Sequence, residues 1–188
     1  MINKASHLRP SAAVVNFKKY SFFFLILLVA LSLAACGFKL RGASPLPFNS
    51  LYTNISSQSA FGIQIIRGIR ANSPHTAIVN DPNEAEVRLI QISSRRTRKE
   101  MSLDVNGKVE EYELGLYISF TLVDNEGNAL LEPTTLSNLR LLPYDENDSA
   151  AKAAEMEQLY ADMERHIANA MLQRITADEV IHRYRQFH

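Results

Sequence analysis

The period of the hydrophobic pattern changes several times along the chain, and each change marks an element. Phe22 to Ala35 is almost continuously apolar, whereas residues 36 to about 49 show little periodicity and contain Pro45 and Pro47. Leu51 to Ile55 then reads as a short strand. Phe61, Ile65, Ile66 and Ile69 recur at helical spacing, which predicts a helix over Gln58 to Ala71 that Ser73-Pro74 ends, although Gly62 and Gly68 weaken it. Thr76 to Val79 is a second short strand, closed by the turn residues 80–83. In Glu86 to Ser94 the apolar positions Val87, Leu89, Ile90 and Ile92 shift frame by one, the mark of a β-bulge or of burial on both faces.

The clearest strand follows Asn106-Gly107. Tyr112, Leu114, Leu116, Ile118, Phe120 and Leu122 alternate with Glu113, Gly115, Tyr117, Ser119 and Thr121, so one face of that strand is buried. Asn106-Gly107 itself suits the positive φ angles of a type I′ turn and predicts a hairpin. A second turn at residues 124–127 leads to a last strand near Thr134 to Leu141. After the polar caps of residues 145–148, a long helix carries Met156, Tyr160, Met163, Ile167, Ala170 or Met171, and Ile175 every three or four residues. Such a stripe packs on a sheet more often than it lines a ligand groove. The fold class expected is α/β of the α+β type: a mixed sheet of about four to five strands with two helices on one face. The opposite face and the edges of such a sheet are left for water or a partner.

The apolar amino end changes the picture most. Lys18 and Lys19, the apolar run from Phe22, and the small residues Ala34 and Ala35 follow the order of a secretory signal. The run falls short of the about 20 apolar residues that a membrane-spanning helix needs. Leu33-Ala34-Ala35-Cys36 looks like a bacterial lipobox, in which small side chains precede a thiol that takes a diacylglyceryl group, and Cys36 is the chain's single cysteine. The expected organisation is a signal peptide over 1–35, a lipidated tether over 36–49, a domain over 50–177, and a tail over 178–188 that either prolongs the long helix or frays. Covalent diacylglycerol and an N-acyl chain on Cys36 would hold the mature protein on a membrane, since two or more chains anchor where one does not. Gly37 stands where an aspartate retains lipoproteins at the inner membrane, so the general sorting pattern implies the periplasmic face of the outer membrane.

Charge and composition then narrow the chemistry. The formal net charge is zero, yet Lys4, Arg9, Lys18 and Lys19 are the sole charges before Cys36, which leaves a mildly acidic body of 16 bases and 20 acids. That balance argues against a nucleic-acid partner. One cysteine leaves no disulfide framework and no cysteine-based zinc cluster. His75, His166, His182 and His188 stand at no metal-ligand spacing, there is no phosphate loop or nucleophile elbow, and Glu110-Glu111 would point to opposite faces of a strand. No catalytic residue, metal or other cofactor is expected.

Arg95, Arg96, Arg98 and Lys99 stand together in an otherwise acidic domain, and the pattern places them at the far end of a strand and before the hairpin turn. Guanidinium groups bind phosphate bidentately, which makes them candidates for a phosphorylated lipid. The plainer account is charge that solvates a long hairpin and blocks edge pairing.

Cys36-Gly37-Phe38-Lys39-Leu40-Arg41-Gly42 resembles the start of mature proteins of the LptE family, the lipopolysaccharide-assembly lipoproteins. The resemblance continues through the short strand, the first helix, the Asn106-Gly107 hairpin with Glu111-Tyr112 after it, and the long final helix, and covers most of residues 36 to 176. It implies a non-enzymatic outer-membrane lipoprotein that plugs the LptD β-barrel, helps it assemble, and contacts lipopolysaccharide on its way to the cell surface. Lys152 matches a basic lipopolysaccharide-contact position of the family. The other such position falls where this chain has Val105, so Lys108, Arg98 or Lys99 would have to supply the charge. The alternative is a lipid or lipoprotein carrier with its own hydrophobic cavity.

Overall fold

The computed structural model describes residues 45–188; the signal segment, Cys36 and the heptad after it lie outside the described residues. Five strands form one mixed sheet: β1 (Ser50–Thr53), β2 (Ala77–Val79), β3 (Val87–Leu103), β4 (Val109–Asp124) and β5 (Ala129–Pro143), in the order β2-β1-β3-β4-β5. β1 is parallel to both neighbours, and β3, β4 and β5 form an antiparallel meander. Helix α1 (Ala60–Asn72) joins β1 to β2, the kind of crossover that a parallel pair requires. A short 3₁₀ turn (Glu146–Asp148) precedes α2 (Ser149–Ile175), and α3 (Asp178–Phe187) follows. The architecture is α+β, as expected, with three helices where two were expected.

The tail is an element of its own. Thr176 folds its hydroxyl back onto the Leu172 carbonyl at 2.8 Å, the chain leaves helical geometry at Ala177, and α3 then buries Val180 and Ile181 in the same core as α2. At the other end, residues placed in the tether are also packed. Leu46 and Phe48 are fully buried, the Ser73 hydroxyl accepts from the Leu46 amide at 2.7 Å, and the Thr76 hydroxyl donates to the Phe48 carbonyl at 2.9 Å. The Phe48 ring meets Tyr184 of α3 edge-on at 5.5 Å.

One face of β4 supplies Tyr112, Leu114, Leu116, Ile118, Phe120 and Leu122 to the core, and Tyr160, Met163, Ile167, Met171 and Ile175 of α2 pack on it with Phe61, Ile65 and Ile69 of α1. Each such side chain contributes about 1.5–3 kcal/mol on burial. The two helix glycines have a packing reason. A methyl on Gly68 would sit 2.1 Å from a Leu172 methyl of α2, and one on Gly62 would strike the Ser56 carbonyl oxygen at 2.0 Å.

Two expectations change in detail. The β3–β4 turn is not type I′: Gly107 has φ of 81°, and no other residue type among those described has positive φ. Its amide donates to the Asp104 carbonyl at 3.0 Å and Asp104 pairs with Lys108, a type I turn followed by a left-handed glycine. Asp104 explains the choice, because its carboxylate accepts from the amides of Asn106 and Lys108 at 2.8 Å each and so holds Asn106 out of the left-handed region. Asp124 builds the same turn between β4 and β5, with Gly127 at φ of 96°. Second, β3 runs on to Leu103, so the basic cluster lies within the strand and not at its end. The expected frame shift is a register change between Gln91 and Ser93.

Candidate functional site

The length of β3 decides how the basic cluster is arranged. Consecutive strand residues point to opposite faces, and cross-strand partners share a face. Arg96 is opposite Leu116 and Arg98 opposite Leu114, so both lie on the face that the helices cover. Arg95 is opposite Tyr117 and Lys99 opposite Glu113, on the open face. Four bases adjacent in sequence therefore form two pairs on two sides of the sheet.

Arg96 is the most committed of the four. Its guanidinium bonds Glu157 at 3.0 Å and Glu164 at 2.9 Å on α2 and lies 4.6 Å from the centre of the Tyr160 ring. The Glu164 bond, against some cost of desolvation, raises its pKa above the ordinary value. The Tyr160 hydroxyl donates to the Thr97 carbonyl at 2.8 Å, and its own pKa is raised, chiefly by burial. Arg96 thus fastens α2 to β3. Arg98 lies 4.9 Å over Tyr112 and Arg95 4.6 Å over Tyr117, both with exposed heads, and Lys99 has no carboxylate at ion-pair distance among the described residues.

Lys108 and Lys152 belong to the end of the sheet that the β3–β4 turn caps. Lys108, just past the turn, bonds Glu146 at 3.0 Å, and that bond raises its pKa. Lys152 lies in the first turn of α2 and bonds Glu155 at 2.8 Å. Both are surface pairs, which stabilise little and exchange partners readily. Val105, at the position where a family base was expected, is fully exposed at the tip of the turn. Arg140 of β5 escaped the sequence reading. It is the cross-strand neighbour of Leu114, so Arg98 and Arg140 flank that residue on one face. A lone arginine in an alternating strand carries no local signal, and only the register reveals the row.

The open face of the sheet is partly apolar. Leu139, opposite Gly115, and Leu141, opposite Glu113, are about half exposed. Around Gly115 a methyl would meet Tyr117 at 2.9 Å and Leu139 at 3.2 Å, so those two side chains lie against the glycine. On the helix side, a cleft of about 440 Å³ between α1 and α2 is lined by Phe61, Ile63, Arg67 and Ala161, and a smaller one of about 300 Å³ by Asn54, Ile55, Ser94 and Ile118. Both open to the surface. Among the described residues no cluster of His, Cys, Asp or Glu could hold a metal ion, and no helix is long and apolar enough to cross a membrane.

The profile of the LptE family, described as lipopolysaccharide-assembly, matches residues 48–175, from the buried Phe48 to the last residue of α2. The chain belongs to the LptE family. A solution structure of lipoprotein B from Nitrosomonas europaea is 30% identical, with a TM-score of 0.61 over 75% of this chain and 91% of that one. The rare lipoprotein B from Shewanella oneidensis is 26% identical, with a TM-score of 0.59 over 70% of this chain and 97% of that one. A minor lipoprotein from Acinetobacter baumannii, at 22% identity and a TM-score of 0.56, shares the fold. No curated protein sequence matches this chain. Arg95 to Lys99, Lys108, Arg140 and Lys152 all lie inside the segment that matches the LptE family.

Proposed function

We propose that this LptE-family chain is an outer-membrane lipoprotein, anchored by acyl chains on Cys36, that seats in the LptD β-barrel, supports its assembly, and contacts lipopolysaccharide during transport to the cell surface. The observation that carries the reading is the family match over nearly the whole folded domain. The structure supplies reasons why such a domain suits that work. Its helices cover one face, while the other offers polar and half-exposed apolar side chains to an enclosing wall. The clefts are open and the space beneath the helices is filled by Met163, Ile167 and Met171, which disfavours a carrier with its own lipid cavity.

The bases at the turn-capped end are the proposed lipopolysaccharide contacts. Lys108 and Lys152 hold exposed carboxylates that a phosphate can replace, and Arg98 and Arg140 present guanidinium groups on the same side as α2. Arg95 and Lys99 serve the open face. Arg96 is the least suited, because α2 already occupies it. Replacing Arg98, Lys108 and Lys152 together by alanine weakens lipopolysaccharide binding and leaves copurification with the barrel intact. Unchanged binding rejects the assignment, and loss of the barrel in the unaltered protein rejects the larger reading. Metabolic palmitate labelling tests Cys36 directly, with Cys36→Ser as the unlabelled control.

A further inference from the structure

Among the described residues, the side of β3 that faces away from β4 is unpaired over most of its length. β1 pairs with β3 only from Val87 to Leu89, and Asn54 then turns the chain away, its side chain bonding both the amide and the carbonyl of Gln91, at 2.8 and 3.0 Å. From Ser93 to Leu103 no strand lies on that side among the described residues. An exposed edge of this length templates another strand unless something prevents it.

We infer that this free edge of β3 accepts an extended, acidic segment of a partner polypeptide by strand addition. Two observations select that occupant. The edge carries Arg95, Arg98 and Lys99, beside the Arg96 that α2 holds, against Glu100 in a domain that is otherwise acidic, so a second copy of β3 is repelled and an acidic strand is attracted. The bases also alternate between faces, so a compact phosphate group on one side reaches only half of them, whereas an added strand sends its side chains alternately to both. Beyond the bases, Met101, Leu103 and Val105 are exposed apolar positions, so the partner is acidic toward one end and apolar toward the other. Main-chain bonds would supply affinity and the side chains register, as in other strand additions. The inference does not rest on lipopolysaccharide binding.

The test uses the full chain in detergent micelles and a synthetic peptide with a run of glutamates followed by a valine–threonine repeat. Amide hydrogen exchange over residues 93–103 is expected to slow by about tenfold or more when the peptide is added, with the outer edge of β5 unchanged. Methylating alternate amide nitrogens of the peptide abolishes the protection, and Arg95→Ser with Lys99→Ser, which leaves the Arg96 bonds to α2 in place, weakens it. Equal protection by the methylated peptide, protection on β5 instead, or protection of 93–103 by lipopolysaccharide micelles and not by the peptide overturns the inference. A chain altered in Cys36 reports whether the peptide result depends on anchoring, and dependence on it also counts against strand addition.

Discussion

The two ends of the β3–β4–β5 meander use the same turn and differ in everything around it. At one end Asp104 ties Asn106 and Lys108; at the other Asp124 ties Glu126 and Asn128. Asp124 is fully buried, its carbonyl accepts from Arg88 at 2.9 Å, and its carboxylate lies 3.4 Å from His188 at the end of α3. Nearby, Glu86 accepts from the amide and side chain of Asn49 and from Tyr184, which joins the entering chain, β3 and α3 in one polar junction. The Asp104 end has none of this packing and exposes Met101, Leu103 and Val105. A 17-residue strand extends about 55 Å, so one end can be stiffened by the core while the other projects. The lesson is that one local turn motif serves as a structural clamp where other elements pack on it and as a presented tip where they do not.

The strongest way to break the contrast is to empty the shared core. Phe120 is fully buried, and Phe120→Ala is expected to cost about 3–5 kcal/mol in a urea titration, loosening both ends together. Gly68→Ala comes next: forcing Leu172 away from α1 costs about 1–3 kcal/mol and weakens the packed end alone, read by hydrogen exchange in α1. Asp124→Ala strands buried amides and costs about 1–3 kcal/mol, whereas Asp104→Ala, with the same bonds in water, costs less. Equal losses at the two turns would erase the distinction.

The two turns shift their carboxylates in the same direction, Asp104 being held below its ordinary value chiefly by the Lys108 amide, and the packed end adds further groups. Burial pushes the Glu86 carboxyl up, but the Asn49 and Tyr184 bonds outweigh it and hold its pKa below the ordinary 4.5. Burial likewise opposes, and the bonds from Asn128, Gly127 and Glu126 overcome, at Asp124, which lies below 3.8. Depressed carboxylates stabilise fully above their unfolded values, so this contribution is lost as pH falls through and below that range. Tyr184 is pushed up to about 12, by burial first and by Glu86 next. Its share is complete below its ordinary value of 10 and disappears as pH rises toward 12. Glu86→Gln should flatten the acid limb of a stability–pH curve. The smallest effect belongs to the exposed tip, where Val105→Ser is expected to shift stability by less than about 0.5 kcal/mol.

Much of the frame was legible because burial imposes a period. The alternation from Tyr112 to Leu122 and the stripe from Met156 to Ile175 name the two surfaces that meet, and the resemblance at Cys36 to Gly42 pointed to the family that the match over 48–175 shows. The site was less legible. Arg95, Arg96, Arg98 and Lys99 look like one cluster in the sequence, and the strand's pleat divides them. Asn106-Gly107 suggested a type I′ turn because the dipeptide permits it, but the carboxylate of Asp104 selects another geometry.

By itself, then, the sequence determined which residues avoid water and with what period, since that is a property of each side chain and its neighbours along the chain. Tertiary structure decided which bases share a face, why Gly68 lies against Leu172, that Leu46, Phe48 and α3 close the packed end, and that β3 outruns β1 and keeps an edge free of the other described strands. Those outcomes depend on register and on contacts between residues far apart in the chain, and no local period encodes either one.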